Sequence, residues 1–291
     1  MSIVVNNNIA SLIAQRNLAN NSSNLTKSIE RLSSGYRINK ASDDAAGLSI
    51  SENLRGQIRG NKQAINNIQD GVNMLQIAES SLSVVNENIQ RIRELTVQAA
   101  NDTNGSTERD AILSEVSARL LDINRIAKAT KFNNVNLLDG SQSVTLQIGA
   151  SSGLSTNTIV IGNGVLNRAT ISAIGVSAVS PSGLSLSVTG ATWAGTSGNG
   201  IRLYLDTLDK ALKDITTRRS NLGAYQNRLE SALGNLNVTN ENIQTAESRI
   251  RDLDIAKETA SMTKYQILQQ ASASVLAQAN ALPQIALKLL G

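Results

Sequence analysis

The chain is poor in the residues on which most enzyme sites depend. Its 291 residues include no cysteine and no histidine, and only one tryptophan, one phenylalanine and two prolines. The chain therefore lacks a thiol nucleophile, the usual zinc ligands and the side chain best suited to proton transfer near neutral pH. Carboxylate or Ser/Lys chemistry would remain available, but no cluster of such residues stands out. We predict a protein that is not an enzyme and has neither a metal nor a cofactor.

Aromatic residues make up 2% of the chain, which is too few for an ordinary globular core of this size. The apolar residues are mainly Ile, Leu, Val and Ala, as is typical of helix–helix interfaces. No stretch approaches the ~18 consecutive apolar residues of a membrane span, so we expect no membrane partner. The first residues lack the basic region and apolar core of a secretory signal peptide. Composition alone would place the protein in the cytosol.

The net charge of +4 raises the question of nucleic-acid binding. Lysine and arginine are, however, spread among aspartate and glutamate, and aromatic residues that could stack on bases are nearly absent. We therefore predict no nucleic-acid partner.

The N-terminal part of the chain has the periodicity of long helices. A first helix is predicted from about residue 7 to 32, followed by Gly35 as a helix stop, and Ser42, Asp43 and Asp44 can begin the next helix. That second helix should extend to about residue 100, and a third should follow from about residue 107. Their apolar heptad positions are Ile68, Leu75, Leu82, Ile89, Ala78, Val85, Ile92 and Ala99, and then Leu113, Val116, Leu120, Ile123 and Ala127.

The middle of the chain changes to a period of two. Residues 144–148 and 184–188 alternate apolar and polar side chains, and 159–161 is a short β-branched run between Gly, Ser and Asn residues. This pattern predicts β-hairpins with one buried face.

The C-terminal part has the most regular heptad pattern. A long coiled-coil-like helix is predicted there, continuing through Ala260 and Ile267 and limited by Pro283. Its heptad positions are Leu208, Ile215, Leu222, Leu229, Leu236, Ile243 and Ile250.

These patterns define the fold class: mainly α with a small β region, as an elongated helical bundle or coiled coil built from both chain ends, with β-hairpins from the middle. A two-helix pair at the extreme ends leaves most of each helix in water. We therefore expect residues 1–40 and 255–291 to be only marginally stable until they pack against other subunits. The alternative is a stable two-stranded coil within one chain.

Several long motifs at both ends resemble bacterial flagellin. They are ERLSSGYRIN at 30–39, ASDDAAGL at 41–48, QRIRELTVQAAN at 90–101, NLGAYQNRL at 221–229, AESRIRD at 246–252 and QASASVLAQAN at 270–280. The resemblance covers about 1–150 and 201–291, and the short middle implies a short flagellin with little or no variable outer domain.

The resemblance implies three regions. A terminal helical coiled-coil domain would comprise 1–43 and 253–291 and form the filament core. A long-helix bundle with β-hairpins would comprise 44–175 and 200–252. Residues 176–199 would form a short variable connection rich in Gly, Ser and Thr.

The resemblance also implies a function: a structural subunit that self-polymerises into the flagellar filament for swimming motility. Family members are exported unfolded through the flagellar export apparatus without a cleaved signal peptide, which overrides the cytosolic prediction and places the protein outside the cell. The partners implied are other copies of the chain, the flagellar cap, junction proteins and an export chaperone. Two alternatives are a hook–filament junction protein and a coiled-coil adaptor that does not polymerise.

Candidate site residues follow from the same resemblance. For subunit assembly by the terminal helices they are Ile9, Leu12, Leu18, Leu25, Ile29, Leu32, Ala260, Ile267, Leu276, Leu287, Leu289 and Leu290. The family also carries a surface recognised by the flagellin-sensing Toll-like receptor of animals, matched here at Arg91, Leu95 and Glu115. Those three residues would equally suit a contact with neighbouring subunits. The C-terminal leucines are associated in the family with intracellular immune sensing as well as with core packing.

Overall fold

The fold consists of long helices at both chain ends with short strands between them, as a computed structural model shows. It describes residues 8–139, 143–153, 156–162, 166, 169 and 198–290, without the side chains of 198–200, 203 and 282–290. The helices are α1 (Ile9–Ser34), α2 (Ala45–Ala99), α3 (Ser106–Ala129), α4 (Gly198–Arg251) and α5 (Ile255–Leu290). Within the described ranges, none of the helices combines the length and apolar character needed to cross a membrane. The mainly α fold class is confirmed.

The first helix begins and ends at the predicted signals. The Asn8 side chain accepts a hydrogen bond from the Ser11 amide at 3.0 Å and so caps the first turn of α1. Gly35 follows the last turn with φ of 74°, a left-handed conformation that glycine adopts without a steric cost, and its N–H donates to the Arg31 carbonyl. Asp44 caps α2 by accepting from the Gly47 amide at 2.8 Å.

The prediction of one continuous C-terminal helix is wrong. The chain leaves helical geometry between Arg251 and Ile255, where α4 ends and α5 begins. The Leu253 amide donates to the Gly35 carbonyl at 3.0 Å, so backbone groups that would continue the helix bond instead to the loop after α1. The predicted limit at Pro283 is wrong as well, since α5 continues through it to Leu290.

The chain divides into two compact units, one comprising Met1–Ile58 with Glu241–Gly291 and the other Arg59–Asn240. The second unit contains the main hydrophobic core, built from α2, α3, α4 and the strands. All the heptad residues predicted for α2 and α3 are buried, and so are the first four predicted for α4, Leu208, Ile215, Leu222 and Leu229. The three-region division of the chain stays a prediction.

The described residues of the second unit include two antiparallel strand pairs. Strands β1 (Lys131–Phe132) and β2 (Val135–Asn136) form a minimal hairpin that the sequence did not suggest. Strands β3 (Val144–Gln147) and β4 (Thr158–Ile161) pair so that Val144 faces Ile161 and Leu146 faces Ile159. These residues pack on the core, which confirms one buried face for this hairpin. The predicted strand at 184–188 lies outside the described residues.

Candidate interaction surface of the terminal helices

The first unit contains a pair of antiparallel helices, α1 and α5, which contact each other along their length. Among the side chains of this pair that the structure describes, those fully buried are small or polar: Ser11, Ala14 and Ser28 on α1, and Ala279 on α5. Small residues let two helices approach closely but remove little apolar surface from water. The fully buried residues therefore contribute little hydrophobic stabilisation to the pair.

Many of the large apolar side chains of the same two helices are exposed. We call this set the terminal apolar surface: Ile9, Leu12, Ile13, Ile29, Ile255, Ile267, Leu268 and Val275. Leu12 is 70% exposed and Ile267 is 60% exposed. Large apolar side chains exposed in such number on one helix pair are candidates for burial by a partner. Each such side chain would contribute about 1.5–3 kcal/mol if a partner buried it fully.

The predicted assembly residues fall into three groups. Ile9, Leu12, Ile29 and Ile267 belong to the terminal apolar surface, and Ala260 is exposed beside it. Leu18, Leu25, Leu32 and Leu276 are half-buried within the terminal unit. The side chains of Leu287, Leu289 and Leu290 lie outside the described part of the chain.

Sequence reasoning missed the polar residues that join the two helices. Asn21 donates from Nδ2 to Ser272 Oγ at 2.9 Å, and Ser11 Oγ donates to Asn280 Oδ1 at 2.7 Å. A signal for them was present, because Ala14, Asn21 and Ser28 are each seven residues apart on α1. A heptad search restricted to apolar residues passes over a row of small and polar ones.

A second cluster of contacts joins the loop after α1 to the break between α4 and α5. The Arg37 amide donates to the Arg251 carbonyl at 2.7 Å, and the Arg251 guanidinium lies 4.7 Å from the centre of the Tyr36 ring. Arg251 Nη1 also donates to Glu52 Oε1 at 2.6 Å, and this hydrogen bond is the main cause that lowers the pKa of Glu52. The α1 end, the α2 start and the α4–α5 break are thereby fixed together within the terminal unit.

The turn between α1 and α2 is held by one carboxylate. Asp43 Oδ1 lies 2.7 Å from Lys27 Nζ, and Asp43 Oδ2 accepts from the amides of Asn39 and Lys40. The hydrogen bond from Lys27 and those from the two backbone amides lower the pKa of Asp43 from 3.8 to about 2. The charged form of Asp43 is therefore favoured in the folded chain.

We expect Asp43→Asn to destabilise the terminal unit at neutral pH and to have no effect in strong acid. A carboxylate whose pKa is lowered on folding contributes stability above its unfolded value of 3.8, and that contribution is lost as the pH falls through about 2. The cost at pH 7 should be about 0.5–1.5 kcal/mol, because the Lys27 partner is largely in water. Thermal melts followed by circular dichroism at pH 7, 4 and 2 would measure it.

Lys27→Met provides the matched control for that substitution. If the two side chains interact as described, the double variant will lose less stability at pH 7 than the sum of the single losses. Additive losses, or a cost of Asp43→Asn that is as large at pH 2 as at pH 7, would contradict the assignment.

The three residues suggested by the receptor resemblance lie on α2 and α3 of the second unit. Arg91 Nη1 is 2.9 Å from Glu94 Oε2, and Arg91 Nε is 3.5 Å from Glu115 Oε1. Arg91 and Glu115 are both exposed, whereas Leu95 is only 2% exposed and belongs to the core. The structure thus brings the two charged residues together at the surface and buries the third beneath them.

Comparison with sequence families gives two matches that together cover most of the chain. Residues 5–143 match the bacterial flagellin N-terminal helical region, and residues 205–290 match the bacterial flagellin C-terminal helical region. The two matched ranges contain all the helices described above except the first residues of α4.

Individual relatives agree over nearly their whole length. A flagellin of Halalkalibacterium halodurans is 42% identical over 289 residues, which cover 99% of this chain and 100% of the relative. A flagellin of Bacillus subtilis is 41% identical over 301 residues, covering 98% and 99%. A solved structure from Vibrio parahaemolyticus, described as flagellar hook-associated, has a TM-score of 0.58 at 15% identity and covers 72% of this chain and 100% of its own. That last likeness concerns the fold alone.

Proposed function

The chain belongs to the bacterial flagellin family, whose members are structural subunits of the flagellar filament, and we propose that it polymerises through the terminal apolar surface of α1 and α5. The observation that carries this proposal is the exposure of many large apolar side chains in the helix pair. The fully buried side chains are small, four leucines are half-buried, and the residues of the terminal apolar surface are exposed. Neighbouring copies of the chain are the partners that would bury them.

The terminal regions 1–43 and 253–291 would form the filament core in this proposal. Burial of several Ile, Leu and Val side chains per subunit supplies a favourable free energy that the isolated helix pair lacks. The predicted assembly residues Leu18, Leu25, Leu32 and Leu276, which are half-buried within the pair, would become fully enclosed. We include Leu287, Leu289 and Leu290 in the same core on the strength of the family resemblance.

Family membership also supports an extracellular location in the flagellum, reached through the flagellar export apparatus. It supports the flagellar cap, junction proteins and an export chaperone as further partners. The two flagellins compared above match over nearly their whole length, which favours a filament subunit over a junction protein or an adaptor.

Purified chain should extend fragments of its own filaments, and a chain without residues 1–40 should not. The deletion removes α1 and with it half of the terminal apolar surface, whereas the core of the unit Arg59–Asn240 keeps all its residues. Electron microscopy of seeded samples would count filaments, and circular dichroism would follow the melting of the shortened chain.

As a control, the shortened chain is mixed with the full chain and seeds. Filaments should then grow, and they should incorporate only the full chain. Filaments built from the shortened chain, or none from the full chain with fresh seeds, would overturn the proposed mechanism.

We further propose that the exposed pair Arg91 and Glu115 forms part of a surface recognised by the flagellin-sensing Toll-like receptor of animals. Support comes from the family resemblance and from the exposure of both charged side chains. Leu95 would act only by supporting α2 from beneath, because it is buried.

We expect Arg91→Ala to reduce receptor activation in a reporter-cell assay by about tenfold, as for a hydrogen-bonded charge lost from an interface. Arg125→Ala, which alters another exposed arginine of the second unit, should leave activation unchanged.

A further inference from the structure

Polar contacts connect α1 and α5 at three levels along the helix pair. Asn21 Nδ2 donates to Ser272 Oγ at 2.9 Å, Ser11 Oγ donates to Asn280 Oδ1 at 2.7 Å, and Asn8 Nδ2 donates to the Ala279 carbonyl at 2.7 Å. We call these contacts the polar ladder. Asn8 has a double role, because its Oδ1 also caps α1. The ladder therefore connects the start of α1 and its middle to α5.

The residues around the ladder provide little other information about alignment. The side chains buried beside it are Ser11, Ala14, Ser28 and Ala279, and small side chains fit one another in several alignments. Two helices with a heptad pattern can slip by seven residues and still present similar faces to each other. The backbone contacts of Arg37 with Arg251 and of Leu253 with Gly35 hold the pair where α1 ends and α5 begins. Along the rest of its length, the pair needs a further device to exclude slipped alignments.

Slipping the pair by one heptad breaks the ladder in either direction. Asn21 would then face Tyr265 or Ala279 in place of Ser272, and Ser11 would face Ala273 or Leu287 in place of Asn280. Neither Ala nor Leu has a side-chain hydrogen-bonding group, and the tyrosine ring is far larger than the serine it replaces. Polar groups left without partners in a helix interface are costly.

We propose that the polar ladder sets the register of α1 against α5 and so aligns the terminal apolar surface for assembly; its consequence for assembly rests on the proposed function. A slip of one heptad displaces one helix by about 10 Å along the other, at 1.5 Å per residue. The apolar side chains of α1 would then be offset from those of α5, and the surface offered to neighbouring copies would change. Asn21 and Ser272 are positioning residues in this scheme and need not contact a neighbour.

The absence of cysteine makes the register directly measurable. One reporter chain carries Ser11→Cys with Asn280→Cys, which are close in the observed register, and a second carries Ser11→Cys with Ala273→Cys, which are close only after a slip. Each reporter is added as a minor fraction to unmodified chain, polymerised from seeds and treated with a short thiol cross-linker. The unmodified subunits contribute no cross-link. Mass spectrometry quantifies the intrachain product.

With Asn21 and Ser272 intact, the first reporter should give about ten times more product than the second, the ratio supported by about one net hydrogen bond. Adding Asn21→Leu with Ser272→Leu should bring the two yields close together. Exchanging the pair, as Asn21→Ser with Ser272→Asn, should restore the preference. If each residue mattered only for its fit at its own position, the exchanged pair would not restore the preference.

Equal yields from the two reporters with Asn21 and Ser272 unchanged would overturn the proposal, as would a preference that survives the leucine pair. If the leucine variant does not enter filaments, the exchanged variant provides the test. It should enter filaments and favour the first reporter over the second. Failure on either count refutes the register role. The proposed function fails in a different way, namely if unmodified chain does not polymerise at all.

Discussion

A chain carrying Leu12→Asp and Ile267→Asp will not extend filament seeds, although its melting curve will nearly match that of the unmodified chain. The two side chains are 70% and 60% exposed in the single chain, so replacing them removes few internal contacts. In a filament the same positions would be enclosed by neighbouring copies. An unpaired carboxylate enclosed in an apolar interface costs several kcal/mol, and every subunit would carry two of them.

The matched control is Leu12→Met with Ile267→Met, which keeps both positions apolar and of similar size and should sustain growth at nearly the normal rate. Sedimentation of seeded mixtures separates polymer from single chains, and circular dichroism gives the melting curve. The aspartate variant should lose no more than about 1 kcal/mol of folding stability, the combined effect of helix propensity and partial exposure. Normal growth of the aspartate variant would exclude these positions from the assembly surface.

The heptad pattern predicted the helices and the main core because both depend on local periodicity. Residues that recur every three or four positions lie on one face of a helix, and an apolar face of that length must be buried. Ile68, Leu75 and Leu82 on α2 are all fully buried as predicted. The glycine stop after α1 was likewise predictable, since Gly35 provides its own conformational signal.

The break between α4 and α5 could not be predicted from periodicity, because its cause lies far away in the sequence. Gly35 and Arg37 supply the backbone contacts that Leu253 and Arg251 use in place of helical ones. The apolar heptad continues on both sides of the break, so nothing in the local pattern signals it. The same limit applies to the polar ladder, whose partners are separated by more than two hundred residues.

The sequence pattern also did not fully predict which apolar side chains of α1 face α5 and which face water. Ile9, Leu12 and Ile29 were predicted, together with Leu18, Leu25 and Leu32, as assembly residues of the first helix. In the structure the first three face water and the last three are half-buried beside α5. α1 is apolar on more than one side, and a single sequence does not say which side meets the partner helix. The small residues Ala14 and Ser28 settle it, because they allow the closer approach.

The heptad positions of α4 allow a test of whether equivalent positions in the sequence pattern contribute equally to the free energy of unfolding. Leu222 and Leu236 occupy equivalent heptad positions on the same helix and in the same unit, yet Leu222 is fully buried and Leu236 is only half-buried at the core's edge. Leu222→Ala should reduce the free energy of unfolding by about 2–5 kcal/mol, since it removes buried methyl groups and leaves a cavity. Leu236→Ala should cost about 1–2 kcal/mol, because part of that side chain is already in water.

Urea unfolding followed by far-ultraviolet circular dichroism measures both costs on a common scale, and Leu121→Ala at an exposed position of α3 serves as the reference for a leucine outside the core. The order expected is Leu222, then Leu236, then Leu121, where the last should change stability by no more than about 0.5 kcal/mol. Equal costs at Leu222 and Leu236 would mean that heptad position alone decides stability along α4. A larger cost at Leu222 would mean that the buried half of the heptad pattern stabilises this unit, because only there is the leucine fully enclosed in the core.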